Sequence, residues 1–202
     1  MAARLHAAMV EDQVASMGKG DFALEVAWAL EKGEDPPFDW PVAGIGNCRQ
    51  HGVDLGERMY NAILEAGSRY PSVIVIGSDH PGLAAAVVEE GFALLETGAD
   101  VVLGPAEDGG YYLIGCRVAA LDPRLFSDIE WSTPQVLMQT RARCREVGVR
   151  AEVLPSARDI DDAEDLSWLE ESLKAGTLIS PRVAALLSAW CEAPESRLSD
   201  AE

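Results

Sequence analysis

The run Val73-Ile74-Val75-Ile76-Gly77 constrains the fold more than any other stretch of the chain. It is short, continuously apolar and rich in β-branched residues. Such a run suits a β-strand covered on both faces, as in a sheet sandwiched between helices. Its surroundings agree. Leu55 to Tyr70 has the periodicity of an amphipathic helix, and Leu83 to Thr97 reads as a helix too. Asp100 to Leu103 repeats the buried-strand pattern, Tyr111 to Cys116 is a third candidate, and Val149 to Leu154 is another strand. Helices are expected over Pro134 to Val147, Asp162 to Lys174 and Pro181 to Cys191. Ala2 to Met17 reads as a helix without a cap, and Phe22 to Leu30 as an alternating strand. Glu31 to Cys48 is rich in Pro, Gly and Asp and reads as a loop; the tail after Ala193 reads as frayed.

Strands alternating with helices predict an α/β fold, a mainly parallel sheet in an α/β/α sandwich. Residues 1–175 are expected to form the main domain, and 176–202 a C-terminal helix and tail. Ligands of such sheets bind beyond the carboxyl ends of the strands. The loops that follow strands are therefore where chemistry is sought.

Composition narrows the function classes. The 202 residues are 48% hydrophobic, which fits a globular chain with a full core. No apolar run is long enough for a bilayer span, and no charged-then-apolar leader opens the sequence, so a cytoplasmic protein is expected. The formal net charge of -18 disfavours nucleic acid as a partner, because that needs a basic footprint. An acidic protein that takes a phosphorylated substrate needs a divalent cation or local arginines to offset repulsion. The four cysteines, Cys48, Cys116, Cys144 and Cys191, are scattered and suggest buried thiols rather than a zinc site or disulfides.

Five stretches carry candidate chemistry. Gly77-Ser78-Asp79-His80-Pro81 follows the most apolar strand directly. Asp79 is placed either to hold a hard cation with phosphate oxygens or to cap the helix near Leu83, and position alone favours neither. Gly104 to Tyr112 follows the next strand, and its Glu107-Asp108-Gly109-Gly110-Tyr111-Tyr112 core suits a ligand loop better than a bare turn. Arg158 to Leu166 is an acidic cluster that offers Asp159 or Asp161 as a second metal ligand, or Asp161 or Asp162 as a helix cap. Asp54 and Arg58 stand at a loop-to-helix junction, where Asp54 caps the helix or binds substrate and Arg58 reaches for a phosphate. In Glu130-Trp131-Ser132-Thr133-Pro134, Ser132 or Thr133 caps a helix and Trp131 walls a pocket. Of the histidines, His6 is read as remote from these loops and His80 as structural or an extra ligand.

In this order the stretches resemble one family, the bacterial DUF2064 group (selenodomain-associated transferase 1) of the GT-A, nucleotide-diphospho-sugar transferase superfamily. The resemblance is carried by Asp54 to Met59, Ile76 to Pro81, Gly104 to Gly115, Trp131-Ser132-Thr133, and Asp159-Ile160-Asp161 with Glu164-Asp165-Leu166. It covers roughly Ala2 to Leu173 and implies a three-layer GT-A fold. It implies metal-dependent transfer from a nucleotide-diphospho-sugar donor to an unknown acceptor, with nucleotidyl transfer as the alternative. Asp79 and Asp161 then look like ligands of Mg²⁺ or Mn²⁺. Asp108 is placed as the group that orients or deprotonates the acceptor. Asp54, Arg58, Gly109, Gly110, Tyr111, Trp131, Ser132 and Thr133 are placed as substrate contacts.

The family usually opens with a strand and a Pro-Gly-x-x-Lys-Thr-Arg-Leu-type loop. Here Ala2-Ala3-Arg4-Leu5 already lies in the following helix. A sheet without that strand exposes an unpaired edge or a groove, which a homodimer would cover. A noncatalytic binding protein is the reading from another class.

Overall fold

The computed structural model describes residues 2–30, 34, 44–160 and 162–192. The element order is α1 (Ala2–Met17), β1 (Glu25–Trp28), β2 (Gly46–Arg49), α2 (Leu55–Ala66), β3 (Ser72–Ile76), α3 (Ala85–Glu96), β4 (Val101–Pro105), β5 (Tyr111–Arg117), α4 (Val136–Val147), β6 (Ala151–Val153), α5 (Ala163–Ala175) and α6 (Pro181–Glu192). The tail beyond residue 192, most of residues 31–43 and the candidate ligand Asp161 lie outside the described residues.

Two sheets form among these residues. β1 and β2 pair in parallel, from Glu25 opposite Gly46 to Trp28 opposite Arg49. The larger sheet has the order β3-β5-β4-β6. β5 runs antiparallel to both of its neighbours, while β4 and β6 are parallel. Three strands thus share one direction and β5 opposes them. The reversal follows from loop length. Ala106 to Gly110 joins β4 to β5 directly, and a hairpin connection of that length suits only antiparallel neighbours.

The sheet separates two apolar layers, as alternation along β4 and β5 requires. Val102 and Leu113 face α3, packing with Val88 and Leu95. Val101, Leu103, Ile114 and Cys116 face the other way, towards Met59 and Ile63 of α2 and Cys144 of α4. A third cluster joins α1, α5 and α6 through Leu5, Met9, Leu169, Val183 and Leu187. Buried Asp12 of α1 fixes that junction by accepting from Ser180 Oγ at 2.7 Å and from the Arg182 N–H at 2.8 Å. Ser180 and Arg182 flank the start of α6, so the carboxylate satisfies donors that a helix start leaves unpaired.

Three expectations change. The segment read as a loop to Cys48 contains β2, because pairing with β1 imposes extended structure on Gly46-Asn47-Cys48-Arg49, which has no strand pattern of its own. The strand expected from Phe22 is shorter, and Phe22 and Leu24 instead pack against the α3-side core. β3, expected to be covered on both faces, is only half-buried at all five residues.

Candidate active site

The carboxyl ends of β3 and β4 open into one cavity of about 1160 Å³. Asp79, Asp108 and Asp159 line it, and so do Arg58, Gly110, Tyr111, Trp131, Ser132 and Thr133. Residues from five separate stretches of sequence therefore share one space.

Asp79 is exposed at the end of β3. It does not cap α3. The cap position is Ala84, which makes no side-chain bond. The carboxylate instead folds over Gly77, where a Cβ would lie 2.7 Å from Asp79 Oδ1. The main-chain oxygen of Asp79 accepts the Ile160 N–H at 3.3 Å, which brings the acidic segment around Asp159 beside it. Asp162 caps α5, accepting from Glu164 and Asp165 at 2.7 and 3.0 Å. His80 turns into the core, with its ring edge against Tyr112 at 4.9 Å. Burial lowers its pKa against the opposing pull of Asp79, so the ring is neutral at pH 7.

The β4–β5 loop is held from several sides. The Gly110 N–H donates to Asp108 Oδ1 at 2.7 Å, and the Ala106 N–H to Gly110 O at 3.1 Å. Gly109 adopts φ 93°, and a Cβ there would sit 2.4 Å from Pro134 O. Only glycine fits that backbone at that approach. Gly109, expected to contact substrate, does not line the cavity, and its oxygen accepts the Leu137 N–H at 3.0 Å. Tyr111 packs edge-on against Trp131 at 6.5 Å. Burial pushes its hydroxyl well above the ordinary phenol range, so it stays protonated.

On α2, Asp54 is the N-cap, accepting the Glu57 N–H at 2.8 Å, and does not line the cavity. Arg58, one turn later, does. Its Nε donates to Gly52 O at 3.3 Å, and among the described residues no carboxylate pairs with it. The Trp131 ring sits where a Cβ on Gly56 would be 2.5 Å away, so the first turn of α2 and this tryptophan lock together. Ser132 holds φ 61°, a costly conformation for a residue with a side chain. Neither Ser132 nor Thr133 caps α4, which starts later with Gln135 at the cap. Thr133 Oγ1 accepts the Gln135 N–H at 3.3 Å.

Two contributors escaped the sequence reading. Gln13 Nε2 donates to Gly77 O at 2.8 Å, and His6 Nε2 lies 2.9 Å from Ser78 Oγ. α1, and His6 with it, thus reaches the Gly-Ser-Asp loop rather than lying far from it. Neither residue carries a motif. Their role is set by packing. Among the described residues no three His, Cys, Asp or Glu gather to hold a metal ion. A hard cation that also binds substrate phosphates needs only one or two protein carboxylates, so the oxygen donors at Asp79 and Asp159 fit it.

The family model of DUF2064, described as an uncharacterized protein conserved in bacteria, matches residues 8–133. The chain belongs to this family. No curated protein matches it significantly. Among solved structures, this DUF2064 chain is similar to a protein from Desulfovibrio desulfuricans G20, provisionally assigned as a nucleotide-diphospho-sugar transferase. Identity is 29%, the TM-score is 0.85, and the match covers 95% of this chain and 84% of that one. A cytidylyltransferase from Leptospira borgpetersenii is similar at 12% identity and a TM-score of 0.57, over 92% and 84% of the two chains. A 4-diphosphocytidyl-2C-methyl-D-erythritol synthase is similar at 12% identity and a TM-score of 0.54, over 80% and 88%. The DUF2064 chain therefore has the α/β fold of the nucleotide-diphospho-sugar transferases. No helix among its described residues is long and apolar enough to cross a membrane.

Proposed function

We propose that this DUF2064 protein is a metal-dependent transferase that uses a nucleotide-diphospho-sugar donor and passes the glycosyl group to an acceptor hydroxyl. The observation that carries the reading is the meeting of Asp79, Asp159 and Arg58 around one cavity at the carboxyl edge of the sheet. A cavity lined by carboxylates and one guanidinium suits a diphosphate together with a cation.

Asp79, with Asp161 or Asp159, would hold Mg²⁺ or Mn²⁺. Such an ion supplies charge neutralisation for a diphosphate leaving group. Arg58 binds a phosphate oxygen through its fork of donors. Asp108 has Oδ1 committed to Gly110, which leaves Oδ2 to accept the proton of the acceptor hydroxyl. Trp131 and Tyr111 form an apolar wall that excludes water from that side. The name of the D. desulfuricans protein favours glycosyl over nucleotidyl transfer.

The test is calorimetric titration of the folded protein with UDP-, GDP- and CDP-sugars, with and without Mn²⁺. Binding of at least one donor that requires Mn²⁺ is expected. No metal-dependent binding of any of them overturns the reading.

A further inference from the structure

We propose that Arg158 is a positioning residue, which holds Asp159 beside Asp79 so that both carboxylates face one divalent cation. The proposal rests on the metal-dependent reading above and extends it to a side chain outside the cavity.

Arg158 and Asp159 are neighbours in the chain but turn to different places. Asp159 lines the cavity and Arg158 does not. The Arg158 guanidinium reaches α5, where Nε donates to Asp165 Oδ1 at 2.7 Å and Nη2 lies 2.7 Å from the same oxygen. Its Cζ stands over the Trp168 ring, 5.4 Å from the centroid, which adds a cation–π contact. The Arg158 and Asp165 side chains are only 25% and 15% exposed, so the pair is sheltered from the screening that makes surface ion pairs weak. Asp165 is fixed in turn. Its Oδ2 accepts the Asp162 N–H at 3.1 Å, and Asp162 caps α5. Arg158 is therefore clamped to the first two turns of a helix.

The backbone on either side of Arg158 carries the site. The Ala157 N–H donates to Pro105 O at 3.0 Å, and the Glu107 N–H to Ala157 O at 3.1 Å, which stitches this residue to the start of the Asp108 loop. Beyond Arg158, the Ile160 N–H reaches Asp79 O at 3.3 Å. Asp159 lies between these two attachments. The Ile160 bond is longer than usual for N–H to oxygen and is a weak anchor by itself. Carboxylates that face one cavity also repel each other until a cation arrives, which pushes the Asp159 segment away from Asp79. The clamp on α5 resists that displacement, as the partners behind metal ligands commonly do.

The test compares the 202-residue parent with Arg158→Ala, Arg158→Lys, Asp165→Asn and the double variant Arg158→Ala/Asp165→Asn. Asp165→Asn keeps an oxygen for the α5 cap and loses the charge. Calorimetric titration with UDP-, GDP- and CDP-sugars over a range of Mn²⁺ concentrations gives the half-saturating Mn²⁺ and the donor affinity separately. Exchange of the Ile160 amide is read on the same samples. Arg158→Ala and Asp165→Asn are each expected to raise the half-saturating Mn²⁺ by about 10–100-fold, while donor affinity at saturating Mn²⁺ changes little. Ile160 exchange should quicken in both. The double variant should be no worse than either single one, because the two side chains act as a unit. Arg158→Lys should recover part of the Mn²⁺ affinity, since an ammonium keeps the charge but not the fork. An unchanged Mn²⁺ requirement in the variants overturns the proposal. So does a fall in donor affinity that excess Mn²⁺ fails to restore, which is the mark of general damage. A parent that binds no donor with Mn²⁺ overturns the metal-dependent reading and this proposal with it, whereas a parent that binds alongside unaffected variants overturns this proposal alone.

Discussion

The Asp79 main-chain oxygen accepts the Ile160 N–H at 3.3 Å, so one backbone bond ties the loop after β3 to the acidic segment before α5. Those loops come from opposite halves of the chain. Gly77 makes the arrangement possible, because a side chain there would meet the Asp79 carboxylate. Asp79 is thereby fixed through its backbone while its side chain stays exposed. That separates the structural role of the position from any chemical role of the carboxylate.

Asp79→Ala is therefore expected to abolish Mn²⁺-dependent nucleotide binding while stability changes by no more than about 0.5 kcal/mol, as for surface substitutions away from caps and cores. No helix cap is lost, since α3 is capped at Ala84 without a side-chain bond. Calorimetric titration and thermal unfolding of the same sample decide it. A lower Tm with binding intact would make Asp79 a purely structural residue.

Arg58→Ala is expected to weaken donor binding by about 1.5–3 kcal/mol, the range for hydrogen bonds to charged groups. Its protein bond, Nε to Gly52 O at 3.3 Å, is long, so the unfolding midpoint should barely move. Arg58→Lys is expected to restore only part of the affinity, because an ammonium cannot make a forked contact. Titrating the parent and both variants with one nucleotide diphosphate gives the ranking. Equal affinity in all three would remove Arg58 from the site.

Much of this arrangement was legible in the sequence where local pattern and final environment agree. The apolar runs of β4 and β5 are covered on both faces as their composition demands, and the Asp108-Gly109-Gly110 turn forms where it is written. The failures share a cause. β2 exists because β1 offers an edge, and Gly46 to Arg49 hold no record of that partner. His6 and Gln13 reach the Gly77-Ser78 loop through the placement of α1, which no spacing announces. β3 is the reverse case. Its sequence describes a strand covered on both faces, yet all five residues are only half-buried.

Gly109→Ala puts a methyl 2.4 Å from Pro134 O on a backbone at φ 93°. Both the clash and the left-handed conformation penalise it, for a combined cost of about 1–3 kcal/mol. The β4–β5 loop must shift, carrying Asp108 with it, so transfer activity should fall more than donor binding does. Urea unfolding measures the first effect and a kcat-against-KM comparison the second. Unchanged stability would show that the loop yields without strain.

Asp100 gives a pH dependence at the opposite end of β4. The Arg150 N–H donates to its Oδ2 at 2.8 Å, and the Arg117 guanidinium pairs with Oδ1. Both contacts, the Arg150 amide foremost, hold the folded carboxyl below its ordinary 3.8. The folded state therefore binds this proton less readily than the unfolded chain. The stabilisation is present above pH 3.8 and is lost as pH falls through the lower folded value. Asp100→Asn keeps the shape but removes the charge. It should be less stable than the parent at pH 7 by about 1 kcal/mol, with the gap closing under strong acid. The comparison must be parent against variant at each pH, because protonating a chain of net charge -18 also relieves repulsion everywhere else. Urea midpoints from pH 7 down to pH 2 supply it, and a gap that stays constant across that range would show that Asp100 acts through shape and not through charge.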